Sequence, residues 1–113
     1  MTLLEKQKKF VYLIGKLIEW SYANGYELTF GDAYRDPRVH GAIGEKKGYS
    51  HPSSVHKYRL ACDFNLFVQG IWQQSSEAFR PLGEYWESLD SNCRWGGHFD
   101  DGNHFSFEHN GVK

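Results

Sequence analysis

The chain contains 113 residues, of which 40% are hydrophobic and 17% aromatic, and its formal net charge is −1. These values exclude a disordered chain and predict one domain with its own hydrophobic core. The near-neutral charge gives no support for electrostatic binding to nucleic acid. The sequence contains no apolar run long enough to cross a membrane, so we expect no stable membrane insertion.

The first predicted element is a helix over residues 2–24. Thr2 and Glu5 have the spacing of a capping box, and Asn24-Gly25 is a typical stop signal. Apolar residues at helical spacing predict a core-facing stripe. Its members are Phe10, Val11, Leu13, Ile14, Leu17 and Ile18.

Two strands and a hairpin are predicted next. Residues 26–30 have strand-like composition, and residues 60–68 form an apolar run that is typical of a buried strand. The polar-glycine pair at 69–70 suits a hairpin turn, so we expect residues 71–72 to return beside the second strand.

The remaining segments predict a loop, a helix and a last strand. Residues 36–53 are polar and aperiodic, and such a long loop in a small domain is expected to form a wall of a functional site. Ser75 can cap a helix over residues 75–90, with a short first turn or bend near Pro81. From His104 onward, apolar and polar residues alternate as in a strand.

The two cysteines and the N-terminus bear on the cellular compartment. Neither Cys62 nor Cys93 lies in a CxxC pair, which predicts free thiols in a reducing compartment. We expect Cys62 to face the core, on the side of its strand opposite Asp63. The N-terminal residues lack a signal-peptide pattern, which predicts synthesis in the cytoplasm.

The segment Ser54–Asp63 is the most informative part of the sequence, because it places His56 seven positions before an acid in an apolar strand. Burying an unpaired carboxylate costs several kcal/mol, so a cation or a hydrogen-bond network is expected beside Asp63. With His104, these residues offer two nitrogens and one oxygen, the donor number of a catalytic zinc site. Such a site lowers the pKa of bound water to about 7.

A peptidase site would also need a general acid/base. Asp101 precedes His104 by three residues in a Gly-Asn turn and is the preferred candidate, with Asp100 as its rival. Arg35 follows an extended segment and would form either a surface ion pair or a fork for a substrate carboxylate or carbonyl.

A purely structural interpretation stays open at this point. The histidines could be core residues with satisfied hydrogen bonds, Asp63 could pair with Arg35 or Arg59, and residues 100–103 could form only a solvated turn. Covalent catalysis has less support, because neither the cysteines nor the serines beside His56 have a recognisable catalytic context. Alternative metal ligands are His40, His51, His98 and His109.

Three motifs together resemble a known family. They are Ser54-Val55-His56 with Leu60-Ala61-Cys62-Asp63, then Trp95-Gly96-Gly97, and finally Asp101-Gly102-Asn103-His104-Phe105. The pattern resembles the VanY/VanX-type zinc D-alanyl-D-alanine carboxypeptidases. It is most similar to single-domain phage endolysins that act as L-alanyl-D-glutamate endopeptidases. The resemblance covers residues from about 26 to 108.

The resemblance implies an α+β fold, a single domain over residues 1–113 with a central antiparallel sheet and flanking helices, like DD-peptidases and Hedgehog domains. It implies that Asp101 is the general acid/base, that Arg35 binds the substrate and polarises its carbonyl, and that Ser54 contacts the peptide. It also implies a Zn²⁺ cofactor. The implied zinc ligands are His56, Asp63 and His104.

The expected function is cleavage of peptidoglycan stem peptides by a monomeric phage lysis enzyme that reaches the wall after a holin permeabilises the membrane. The alternatives are a D-Ala-D-Ala carboxypeptidase and a non-catalytic metal-binding wall or virion module. Arg59 stands where many relatives have glycine, and no wall-binding module is evident. The arginine leaves the substrate preference open, and the bare domain would have to find its substrate without help.

Overall fold

The computed structural model of the protein describes residues 1–31 and 58–110. In chain order these residues form helix α1 (Leu3–Ala23), strands β1 (Tyr26–Phe30), β2 (Ala61–Val68) and β3 (Ile71–Gln73), a first 3-10 helix (Ser76–Phe79), helix α2 (Arg80–Leu89), strand β4 (Cys93–Trp95), a second 3-10 helix (Gly96–Phe99) and strand β5 (His104–Phe107).

The strands of the described residues form one antiparallel sheet in the order β1-β2-β5-β4. Strand β3 returns along the C-terminal half of β2 through a hairpin, whereas β5 pairs with the N-terminal half. Gln69 and Gly70 form the hairpin turn with φ values of 52° and 79°, as in the two-residue turns that match strand twist. The predicted α+β class with a central antiparallel sheet and flanking helices is confirmed.

Helix α1 forms from strong local signals. The Thr2 hydroxyl accepts a hydrogen bond from the Glu5 amide, and the Glu5 carboxylate accepts one from the Thr2 amide, so the predicted capping box is confirmed. Leu13 and Leu17 lie in the core. Val11 is 68% exposed, and its predicted place in the apolar stripe is wrong because it lies at the border of the buried face and is open to solvent.

The second predicted helix is divided as its sequence suggests. Ser75 caps the first 3-10 helix by accepting a hydrogen bond from the Ala78 amide. Helix α2 then starts at Arg80 with Pro81 in its first turn, where the missing amide hydrogen removes no helical hydrogen bond. The short first turn predicted near Pro81 is therefore confirmed.

One face of the sheet is buried beneath the two helices. Trp86 of α2 is fully buried, and its indole nitrogen donates to the carbonyl oxygens of Arg94 and Ser106. This bond fixes α2 over β4 and β5. The other largest fully buried side chains are those of Leu17, Leu60, Phe64, Leu66, Leu82, Cys93, Trp95, Phe105 and Phe107.

Strand alternation sends Cys62 and Asp63 to opposite sides of β2. Cys62 and Cys93 are buried free thiols, as predicted. Burial raises the pKa of each thiol to about 12. Neither cysteine therefore provides a thiolate nucleophile at neutral pH.

None of the helices in the described part of the chain has the length and apolar character needed to cross a membrane.

Candidate active site

Asp63 and His104 face each other across the sheet. Strand β2 pairs with β5 so that these two residues are directly opposite, and their side chains project from the side away from the Trp86 core. The Nδ1 atom of His104 lies 3.2 Å from Oδ1 of Asp63. Both side chains are nearly buried, with 13% and 11% of their surfaces exposed. The predicted strand residues thus meet in one fixed pair.

Gly31 lies beside this pair, just after the end of β1. Its amide donates a hydrogen bond of 2.8 Å to the Asp63 carbonyl oxygen. A Cβ atom at position 31 would lie 3.3 Å from the Asp63 Cβ, which is a tight contact. The glycine therefore lets the chain pass close to Asp63 at the end of β1.

The turn from Gly96 to Asn103 places Asp101 just before the start of β5. The Asp101 amide donates to the Gly96 carbonyl, and the His104 amide donates to the Asp101 carbonyl. The Phe64 amide of β2 donates to the Asn103 carbonyl at 3.0 Å. These backbone bonds tie Asp101, whose side chain is exposed, to the two strands that hold Asp63 and His104.

Trp95 holds the middle of this turn. Its indole nitrogen donates a 2.7 Å hydrogen bond to the Gly102 carbonyl oxygen. A Cβ atom at Gly83 or at Gly97 would lie 2.1 Å from its ring atoms, so both glycines pack their backbones against the indole. The Trp-Gly-Gly sequence thus positions the turn, a role that the sequence did not reveal.

Ser76 and Glu87 secure the same turn from outside. The Gly102 amide donates to the Ser76 hydroxyl oxygen at 2.9 Å. The carboxylate of Glu87 accepts a hydrogen bond from the Trp95 amide and lies 2.8 Å from Nε2 of His98. His98 therefore contacts Glu87 and is half exposed, and it lies on the turn without reaching the Asp63–His104 pair.

A cavity of about 300 Å³ opens next to Asp101. It occupies the gap between β3 and the start of β5, where the two strands pair with different halves of β2. The sequence did not single out most of its lining, because residues from four separate segments meet there. The lining consists of Phe64, Asn65, Trp72, Gln73, Gln74, Ser76, Phe79, Asp100, Asp101, Gly102 and Asn103.

Several predicted site residues lie outside the described residues. They include the metal ligand His56 and the substrate contacts Arg35 and Ser54, as well as the alternative ligands His40 and His51. His109 is described and is partly buried against the Tyr58 ring, with Nδ1 3.1 Å from the Lys6 amine. Burial lowers the pKa of His109.

The donor atoms of Asp63 and His104 fit a zinc site. Nitrogen and oxygen ligands about 2.0–2.2 Å from a tetrahedral zinc ion lie roughly 3.3 Å apart, close to the observed 3.2 Å. The same distance also suits a hydrogen bond between an imidazole and a carboxylate. Within residues 1–31 and 58–110, histidine, cysteine and acidic side chains do not gather in a group of three, so a third ligand would come from elsewhere.

A family model described as D-alanyl-D-alanine carboxypeptidase matches residues 47–107, which is more than half of the chain. The chain belongs to this family, whose members are peptidases that generally depend on zinc. The matched segment includes His56, Asp63, Asp101 and His104, and Arg35 precedes it. The search of curated proteins found no match.

Proposed function

We propose that the protein is a zinc-dependent endopeptidase that cleaves the L-alanyl-D-glutamate bond of peptidoglycan stem peptides and serves as a phage endolysin in host lysis. The observation that carries this proposal is the near-buried pair of Asp63 and His104 beside the turn that holds Asp101. Membership of a peptidase family supports the reaction class. The resemblance to single-domain lysis enzymes supports the bond and the phage setting.

The proposed zinc ligands are His56, Asp63 and His104, one from each of three separate segments. When bound, zinc supplies Lewis-acid polarisation of the scissile carbonyl and lowers the pKa of a water molecule. Strands β2 and β5 keep two of the donor side chains in fixed directions, which limits the reorganisation needed to bind a metal.

The other residues move protons and hold the substrate. Asp101 takes a proton from the attacking water and gives it to the leaving amine. Arg35 stabilises the negative charge that develops on the carbonyl oxygen, and Ser54 contacts the peptide. In this proposal the enzyme acts as a monomer of one catalytic domain and reaches the wall after a holin permeabilises the membrane.

A D-alanyl-D-alanine carboxypeptidase is the second candidate, and the description of the matching family favours it. The two activities differ in the fragment released. An endopeptidase leaves new amino termini on D-glutamate, whereas a carboxypeptidase releases only a terminal D-alanine. A non-catalytic wall-binding or virion module would release neither product and would have no need of Asp101 or Arg35.

Digestion of purified peptidoglycan by the zinc-loaded protein, with the fragments identified by mass spectrometry, tests the proposal. We expect new D-glutamate amino termini that disappear after treatment with a chelator. We expect Asp101→Asn to retain zinc and to lower kcat by about 10²–10⁴-fold, the usual contribution of a general acid/base.

Asp100→Asn is the matched control, because it removes a neighbouring carboxylate from the same turn. We expect it to retain most of the cleavage activity. Near-normal turnover by Asp101→Asn would contradict the assigned mechanism. Release of D-alanine alone would identify a carboxypeptidase, and the absence of cleavage with zinc bound, over several wall types, would identify the non-catalytic module.

A further inference from the structure

The cavity beside Asp101 combines polar residues with three aromatic residues in its lining. Trp72 of β3 is 55% exposed and lines one side. Asparagine and glutamine residues from β2, the β3 segment and the β5 turn line the rest, together with the acidic residues Asp100 and Asp101. The buried rings of Phe64 and Phe79 also contribute to its lining. The pocket can therefore accept a polar group that also offers aliphatic surface to an indole ring.

Asp101 lines this pocket and is also the general acid/base of the proposed function, on which this inference rests. A group that protonates the leaving amine must come within hydrogen-bond reach of that nitrogen. Since Asp101 also lines the pocket, the residue that carries the leaving nitrogen is the part of the substrate nearest to it. The pocket then lies on the leaving-group side of the scissile bond.

The charge of the lining restricts what that residue can carry. Among the described residues that line the pocket there are two acidic residues and no lysine, arginine or histidine. The nearby guanidinium of Arg80 is held by Glu77, with Nε 2.7 Å from Oε1. A substrate carboxylate here would face like charges, whereas a carboxamide could donate its N–H groups to the same oxygens.

We propose that this pocket is the leaving-group subsite and that it selects stem peptides in which the carboxyl group of the residue after the cut is amidated. In stem peptides the D-glutamate after L-alanine is linked through its side chain, and its α-carboxyl group occurs either free or as the amide. The amidated form places a neutral donor against Asp100 and Asp101. The free acid places a third negative charge beside them.

The size of the expected preference for the amidated substrate depends on the solvent exposure of Asp100 and Asp101. Like charges in contact at an interface oppose binding strongly when they are desolvated, but Asp100 and Asp101 are exposed and screened by salt. We therefore expect kcat/KM to favour the amidated substrate by about tenfold, and we expect this preference to shrink as the ionic strength rises.

The test compares two synthetic stem peptides that differ only in D-glutamate or its α-amide. The zinc-loaded protein should cleave the amide about tenfold more efficiently, and Asp100→Asn should reduce that ratio to about threefold because one of the two charges is gone. Glu19→Gln, which removes an exposed acid from α1, is the matched control and should leave the ratio unchanged. An equal rate for both peptides, or a preference for the acid, would overturn the subsite.

A binding measurement separates failure of the subsite from failure of the proposed activity. The two product peptides, which begin with D-glutamate or its amide, are titrated while the indole N–H resonance of Trp72 is followed by NMR, with Trp72→Phe used for assignment. Tighter binding of the amidated product with a shift at Trp72 supports the subsite even without turnover. Equal binding of both products, or no shift at Trp72, refutes it even if cleavage is observed.

Discussion

Helix α1 and the turn from Gly96 to Asn103 are held in place by different kinds of interaction. The helix is stabilised by a repeated apolar stripe and a local cap. The space around its Gly15 is open, since a Cβ atom there would have no neighbour within 4 Å. The turn depends on single contacts with β2, the first 3-10 helix and Trp95. A Cβ atom at Gly96 would lie 2.3 Å from the Asp101 carbonyl oxygen.

This difference shows where the proposed catalytic geometry is vulnerable. A helix with many similar contacts tolerates the loss or addition of one methyl group. At Gly96 the turn has no room for a methyl group, and the group that would clash is the backbone of Asp101 itself. Substitutions in the turn should therefore change activity more than stability, whereas substitutions in α1 should affect stability alone.

The largest expected effect is that of Gly96→Ala. The new methyl group would push the Asp101 carbonyl and approach the His104 Cβ, which is 2.9 Å from its position. We expect a loss of about 1–3 kcal/mol in the free energy of unfolding. A displacement of the acid by about 1 Å should lower kcat/KM roughly 100-fold. Urea unfolding and cleavage of a stem peptide measure the two effects.

Gly15→Ala is the control for adding a methyl group. Because Gly15 is exposed in the middle of α1 with open space around it, alanine should stabilise the protein by about 0.5–1 kcal/mol and leave cleavage unchanged. If both variants altered kcat/KM equally, the contrast between the two regions would be wrong.

An intermediate effect is expected for Trp95→Phe. Phenylalanine keeps an aromatic ring between Gly83 and Gly97 but lacks the N–H that donates to the Gly102 carbonyl oxygen. An unsatisfied buried carbonyl costs about 1–3 kcal/mol. We expect kcat to fall about tenfold because Asp101 is less well positioned, with the zinc content unchanged.

A double-mutant cycle distinguishes positioning from general damage. If Trp95 acts through Asp101, Trp95→Phe should cause little further loss of activity in the Asp101→Asn background. Trp20→Phe, which alters the α1 indole stacked on Tyr85, should change stability without changing kcat. An equal loss from Trp95→Phe in both backgrounds would show that Trp95 does not act through Asp101.

The sequence predicted the elements whose signals are local. The cap of α1, the hairpin at Gln69-Gly70, the strand around Asp63 and the strand starting at His104 follow from spacing and turn chemistry, and the structure contains them. The short strand β4 was not predicted. Its three residues are too few for a periodic pattern, and its pairing with β5 defines it.

The site was predictable only in part. An acid within an apolar strand is a local anomaly, so Asp63 was found from the sequence. The polar cavity was not predicted because residues distant in sequence, such as Trp72 and Asp100, come together only in the folded sheet. The packing of Gly83 and Gly97 against the Trp95 ring was not predicted for the same reason, because the two glycines belong to different elements.

The most direct test of the central claim is the zinc affinity of the protein and of three variants, measured by competition with a chromogenic chelator. We predict one tightly bound zinc ion per chain in the wild type and in His98→Gln, whose imidazole contacts Glu87 instead. Asp63→Asn and His104→Gln should each lose tight binding while remaining folded by circular dichroism. Absence of tight zinc binding in the wild type, or wild-type affinity in His104→Gln, would contradict the proposed metal centre.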